Sequence, residues 1–140
     1  MRDFRAFIEA CKPTENAKYV ASKRIVENGE PVEWEVRAIT QAENAELRKK
    51  CKRKDPIPGK KGVYNEVVDD IKYNAALVAA CTVFPPVNEK DFQDAIGVLS
   101  GADAVQKLLL PGEYDEYTMF ILELNGFDVG MDELVDEAKN

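Results

Sequence analysis

The amino-acid sequence predicts an α+β fold: a short N-terminal helix and an antiparallel β-hairpin packed on a mainly α-helical C-terminal part. Three observations predict it. Two strand-like stretches, 17–26 and 32–39, flank Asn28-Gly29, the preferred filler of a two-residue type I′ turn because both positions must accept positive φ. After residue 40 the apolar residues recur instead at helical spacing. A chain of 140 residues that is 45% hydrophobic and 32% charged also has the size and balance of one ordinary folded domain. One domain, 1–140, is therefore expected, with the hairpin at about 17–39 and the helical part at about 40–138.

In chain order, Phe4, Phe7, Ile8 and Cys11 fall on one helical face, which Pro13 terminates. Such a face is expected to dock on its own domain. In the hairpin, Glu27 opposite Glu30 sets a register that puts Tyr19, Ala21 and Ile25 on the same face as Val32, Trp34, Val36 and Ala38. The same register sets Arg24 opposite Glu33 and Lys23 opposite Trp34. A lone hairpin is marginal in water, so helices or a second copy of the chain must cover its apolar face.

Thr40 and Glu43 form a capping box that opens a helix expected to reach about Lys54. Its second half, Arg48–Lys54 (RKKCKRK), with Lys60 and Lys61, is a basic cluster over 48–61. Phosphate contact is one reading; a solvated helix end or an acidic protein partner is the other, and the lack of interleaved aromatics favours the latter. A long apolar helix is expected from Asn65 to about Phe84, stopped by Pro85-Pro86. A short turn follows, starting at Asn88 or Asp91 and broken by Gly97. Ser100 and Asp103 open the next helix, and Pro111-Gly112 separates it from a helix over Glu113–Asn125 that Gly126 closes. A last short acidic helix is expected over 132–138.

Composition excludes several chemistries. There is no histidine, so histidine-based nucleophilic catalysis is absent, and Cys11, Cys51 and Cys81 form no Cys-x-x-Cys pair. Neither phosphate-loop motif occurs, and Asp128–Asp132 lacks the alternating ligands of a calcium loop. Glu113, Asp115 and Glu116 could be drawn as a metal or acid/base group, but carboxylates at a helix N-terminus explain them without a ligand. No catalytic, cofactor or metal residue is assigned, and an enzyme is not expected. No apolar run spans a bilayer, so a cytoplasmic protein with no membrane partner is expected. From Pro86 onward 13 acids face 3 bases, whereas the preceding residues carry 13 acids and 16 bases, which weighs against nucleic acid at the C-terminal half.

The order of motifs says more than any one of them. VEWEVRAIT, a basic helix, CTVFPP, FQDAIGV, PGEYDEY, LELNGF and a terminal EAKN together resemble the XkdN-like phage tail assembly chaperones over nearly the whole chain. Trp34, Gly97, Gly112, Glu113, Tyr114, Asn125 and Gly126 fall on that pattern. Ile96 stands where the family commonly has Tyr, and a family Leu is absent near Tyr117; both changes keep an apolar group. The resemblance implies a non-enzymatic chaperone in the host-cell cytoplasm, absent from the mature virion. It would bind the long, helical tape measure protein until tail tube subunits polymerise around it. A helix-in-groove contact suits that role, with Tyr114, Tyr117, Phe120, Leu124 and Phe127 supplying part of the groove. The family also implies a longer, frameshifted form reaching the tail tube protein, for which the codons of Ala138-Lys139-Asn140 are the candidate slippery run. Salt-sensitive nucleic-acid binding through 48–61 is the alternative function.

Overall fold

The computed structural model describes residues 2–128. The chain runs α1 (Arg5–Ala10), β1 (Ala17–Tyr19), β2 (Val26–Glu27), β3 (Glu30–Pro31), β4 (Trp34–Val36) and α2 (Gln41–Lys50). It continues through β5 (Lys52–Pro56), β6 (Tyr64–Val68), α3 (Asp70–Cys81), β7 (Thr82–Phe84), α4 (Lys90–Ile96), α5 (Gly101–Leu108) and α6 (Pro111–Leu124). The fold is mixed α+β. The helix expected over 132–138 lies outside the described residues.

The Asn28-Gly29 turn forms as expected, with positive φ at both residues, and Glu27 faces Glu30. The expected register reaches Ile25 and Val32, whose N–H donates to Ile25 O at 2.9 Å, and fails beyond them. Residues 20–24 on one side are set against only residue 33 on the other, so pairing resumes with Tyr19 opposite Trp34 and Ala17 opposite Val36. The slip is four residues, an even number, and so the alternation of faces survives it. Lys23 is not opposite Trp34, and Arg24 is not opposite Glu33. The extra residues leave the ladder because Ala21 and Ser22 are buried and Arg24 reaches a carboxylate on α6.

β4 is the middle strand of a three-stranded antiparallel sheet ordered β1-β4-β7. Its Trp34 and Val36 are wholly buried. α3, α5 and α6 supply the other wall: Tyr73, Leu77, Val78 and Cys81 from α3, Ala104 and Val105 from α5, Tyr117 and Ile121 from α6. Capping fixes where these helices begin. Thr40 and Glu43 close the expected box, while Asp69 and Ser100 accept from Lys72 N–H and Asp103 N–H.

Three expectations are corrected. The helix expected from Asn65 to Phe84 is shorter, Asp70–Cys81, with a strand on either side. Asp69 is its N-cap, and the β-branched Val67 and Val68 before it belong to β6. The α2 helix ends at Lys50, because the rest of the basic run pairs with β6, from Lys52 opposite Val68 to Pro56 opposite Tyr64. A non-local ladder of this kind overrides helix propensity. Finally, α1 forms but does not dock: Phe4, Phe7 and Ile8 are each more than 60% exposed, and Cys11 is exposed.

Candidate protein-binding surface

The residues of the family pattern mostly build joints. Asn125 is the clearest case: its Oδ1 accepts from Ile39 N–H (2.9 Å), and its Nδ2 donates to Ile121 O (2.8 Å) and faces Cys81 Sγ (3.4 Å). One amide thus ties the end of α6 to the chain leaving β4 and to the end of α3. Gly97 and Gly126 adopt left-handed backbone, closing α4 and α6 with paired backbone bonds, Val98 N–H to Gln93 O and Phe127 N–H to Leu122 O. Glu113 reaches back to Leu110 N–H (2.8 Å) and pairs with Arg24 Nη2 (2.6 Å), which also donates to Leu108 O. Arg24 and that backbone donor hold the Glu113 carboxyl down at about 2, so it is committed to the α5–α6 corner rather than poised for acid/base work. Gly112 has no close neighbour that a Cβ would meet, and nothing in the structure requires glycine there.

Trp34 and Tyr117 meet edge to face at 5.2 Å, and Tyr19 stacks on Phe120 at 4.3 Å. Thr82 Oγ1 donates to Val78 O, so the 2.7 Å bond between the Tyr117 and Thr82 hydroxyls takes its proton from Tyr117. Tyr117 is wholly buried and fully bonded. Of the five side chains expected to form a partner groove it is therefore a core residue, and contact with a partner would require opening the core. Tyr114, Phe120 and Leu124 are half-buried against the same core, and Phe127 is 39% exposed beyond the end of α6. The stripe is largely the inward face of α6.

An open apolar cleft lies elsewhere. Phe92 and Ile96, one turn apart on α4, form one wall; Ile25 and Val32 of the hairpin stem form another; Phe84, Pro85 and Leu108 complete it over Trp34. Its volume is about 230 Å³, below the roughly 300–1,000 Å³ of small-molecule sites and suited to one large apolar side chain. Phe84 on the lip remains 46% exposed. Sequence reasoning missed this cleft because it read 82–84 as the end of a helix. The β-branched Thr82-Val83 before two prolines was the available signal for a short edge strand.

The basic cluster is split between a helix end and a ribbon: Arg48, Lys49 and Lys50 form the last turn of α2, and Lys52, Arg53 and Lys54 lie on β5. Between Arg48 and Val68 stand eight bases and two acids, most of them exposed, and Tyr64 lies opposite Pro56 near its tip. Among the described residues no group of three His, Cys, Asp or Glu side chains is placed to hold a metal. No described helix is long and apolar enough to cross a membrane.

The described residues thus build a mixed α+β fold whose family-pattern residues are joints, with an apolar cleft left open at one edge. Residues 4–139 match the family described as phage XkdN-like tail assembly chaperone protein, and the chain belongs to that family. It is 27% identical over 128 residues to the phage-like element PBSX protein XkdN of Bacillus subtilis (strain 168), covering 90% of this chain and 85% of that protein. The YqbN protein of the same strain matches at the same identity and coverage. The crystal structure of YqbN superposes with a TM-score of 0.74 at 24% identity, covering 91% of this chain and 99% of that one, and so shares the fold.

Proposed function

We propose that this tail assembly chaperone is non-catalytic and holds the tape measure protein in the host cytoplasm, keeping it soluble until the tail tube assembles and leaving before the virion is complete. The observation that carries this reading is the apolar cleft between α4, β7 and the hairpin stem, open to solvent beside Phe84. A helical partner would seat one large apolar side chain there, with a neighbouring position lying on the exposed Phe84. Displacing water from such a patch is the driving force that an aggregation-prone helix needs in order to prefer the chaperone to itself. The acidic excess of the C-terminal half keeps the complex soluble.

Co-expression with the tape measure protein tests this, with pull-down of the soluble fraction as the readout. Phe84→Asp, at an exposed position on the lip of the cleft, should weaken capture by about tenfold or more. Unchanged capture by this variant, with loss on Phe127→Asp, would move the site to the α6 stripe of Tyr114, Phe120, Leu124 and Phe127. No soluble complex with the unaltered chain would sink the tape measure reading altogether. Salt-sensitive nucleic-acid binding, lost on neutralising Arg48–Lys61, would favour the alternative function. A longer form joining the chaperone to the tail tube protein requires a slippery run in the codons of Ala138–Asn140, and sequencing that part of the gene decides it.

A further inference from the structure

Two surfaces of this chain are complementary. The first is α1 with its N-cap, which carries Phe4, Phe7 and Ile8 at the spacing of one helical face, exposed at 66%, 69% and 62%. Arg2 and Arg5 stand beside them, and the ion pair of Arg5 with Asp3 lies in solvent, where exchanging it for another costs little. The second is the cleft over Trp34, whose volume of about 230 Å³ takes one large apolar side chain. Its lip is acidic. Glu27 lines it and faces Glu30 across the hairpin turn, both exposed. Like charges set opposite each other repel, so this lip favours an occupant that brings a cation beside its apolar side chain. In α1, Phe4 and Phe7 flank Arg5 in just that way.

α1 does not fill the cleft of its own chain, since its three apolar side chains and Phe84 on the lip are all exposed. The chain leaves β1 at Ala17, beside Val36 and Thr82, whereas the cleft opens at the opposite end of the strands, by Trp34 and Phe84. An arm at one end and a socket at the other let two copies exchange arms about a two-fold axis. Residues 11–16 give each arm a reach of up to about 20 Å. The area also suffices. An aromatic side chain presents about 150–250 Å², so three large apolar side chains that are some two-thirds exposed offer roughly 350 Å² per arm. Two arms and two matching sockets then bury about 1,400 Å², within the roughly 1,200–2,000 Å² of specific interfaces.

We propose that a second copy of this chain covers the cleft: α1 of each protomer lies across the hairpin stem and α4 of the other, seating Phe7 in the cleft and setting Arg5 against Glu27 and Glu30. The pairing is a property of the chain alone and does not rest on the tape measure reading. A client helix would reach the socket by displacing the arm. An interface near the lower end of the usual range is transient, with a dissociation constant on the order of tens of micromolar, so melts run well below that concentration read the monomer.

The test is sedimentation velocity of the purified full chain over a concentration series that brackets that constant. The mass should rise from monomer to dimer and stop there. Phe7→Asp, on a helix with no buried residue, and Phe84→Asp, on the lip, should each weaken the dimer by about tenfold or more. Arg2→Glu with Arg5→Glu, and Glu27→Lys with Glu30→Lys, should each weaken it several-fold, and the two sets combined should restore it, which a merely unfolded variant would not do. Under mild oxidation, chains carrying Cys11→Ser and Phe7→Cys should form mixed disulfides with chains carrying Cys11→Ser and Phe84→Cys, and several-fold fewer with chains carrying Cys11→Ser and Lys60→Cys. A chain that stays monomeric throughout, as it would if α1 folded onto its own cleft, overturns the proposal. So would association that continues past the dimer, a dimer indifferent to Phe7→Asp, equal disulfide yields at positions 84 and 60, or no rescue on charge exchange.

Discussion

At the scale of single residues, the side chains that sequence comparison draws attention to are those that hold corners. Asn125→Ala removes the acceptor of Ile39 N–H and should destabilise the chain by about 1–3 kcal/mol, read from denaturant midpoints at an unchanged slope. Two carboxylates make stability depend on acid. Arg24 and Leu110 N–H hold Glu113 at about 2, and Arg37 and Thr40 N–H hold Glu43 at about 2. An unfolded glutamate titrates near about 4.3, so their contribution is complete above that pH and is lost as the pH falls towards about 2. Urea midpoints measured between these limits should decline, and the decline should be shallower in Glu113→Gln and in Glu43→Gln. Glu43 is 41% exposed and Glu113, itself half-buried, pairs with an Arg24 that is 50% exposed, so solvent keeps the effect of each small.

At the scale of elements, α1 behaves differently from the core. The α1 helix makes only six residues of helix and buries none of them. Its removal together with the linker, residues 2–12, should therefore leave stability within about 0.5 kcal/mol of the full chain in a thermal or denaturant melt. A larger loss would show that Phe4, Phe7 and Ile8 pack somewhere after all. Trp34 is the opposite case. It closes on Tyr117 across the sheet–helix interface and floors the cleft, so Trp34→Ala should cost about 3–5 kcal/mol. Circular dichroism melts of the two variants, run side by side, check both expectations.

At the scale of the whole molecule, charge is unevenly spread. The stretch 48–68, with eight bases and two acids, stands on a chain whose net charge is −7, so the remainder is more acidic than the total suggests. Its carboxylates are expected to solvate the protein and to pair with its own cations. Adding millimolar magnesium or calcium, or removing divalent ions with a chelator, should therefore leave the thermal midpoint unchanged; a rise that saturates with metal would reveal a site.

The sequence by itself determined the fold class, the Asn28-Gly29 turn, the capping residues Thr40 and Ser100, the α4, α5 and α6 segments and the exclusion of histidine chemistry. Each of these rests on neighbours within a few residues, where turn geometry and orphan backbone donors leave little choice. Tertiary structure decided the rest. Sequence spacing made Tyr117 and Phe120 look equivalent to Phe127 on one stripe, and only packing showed which of them the core consumes. The β5–β6 ladder, the slipped register beyond Ile25 and the strand at Thr82–Phe84 all depend on partners distant in the chain. Local propensity carries no record of such partners, because a strand is stabilised by the neighbour it finds. The same holds for the cleft, whose walls come from the hairpin stem, β7, α4 and α5 and meet only once the chain has folded.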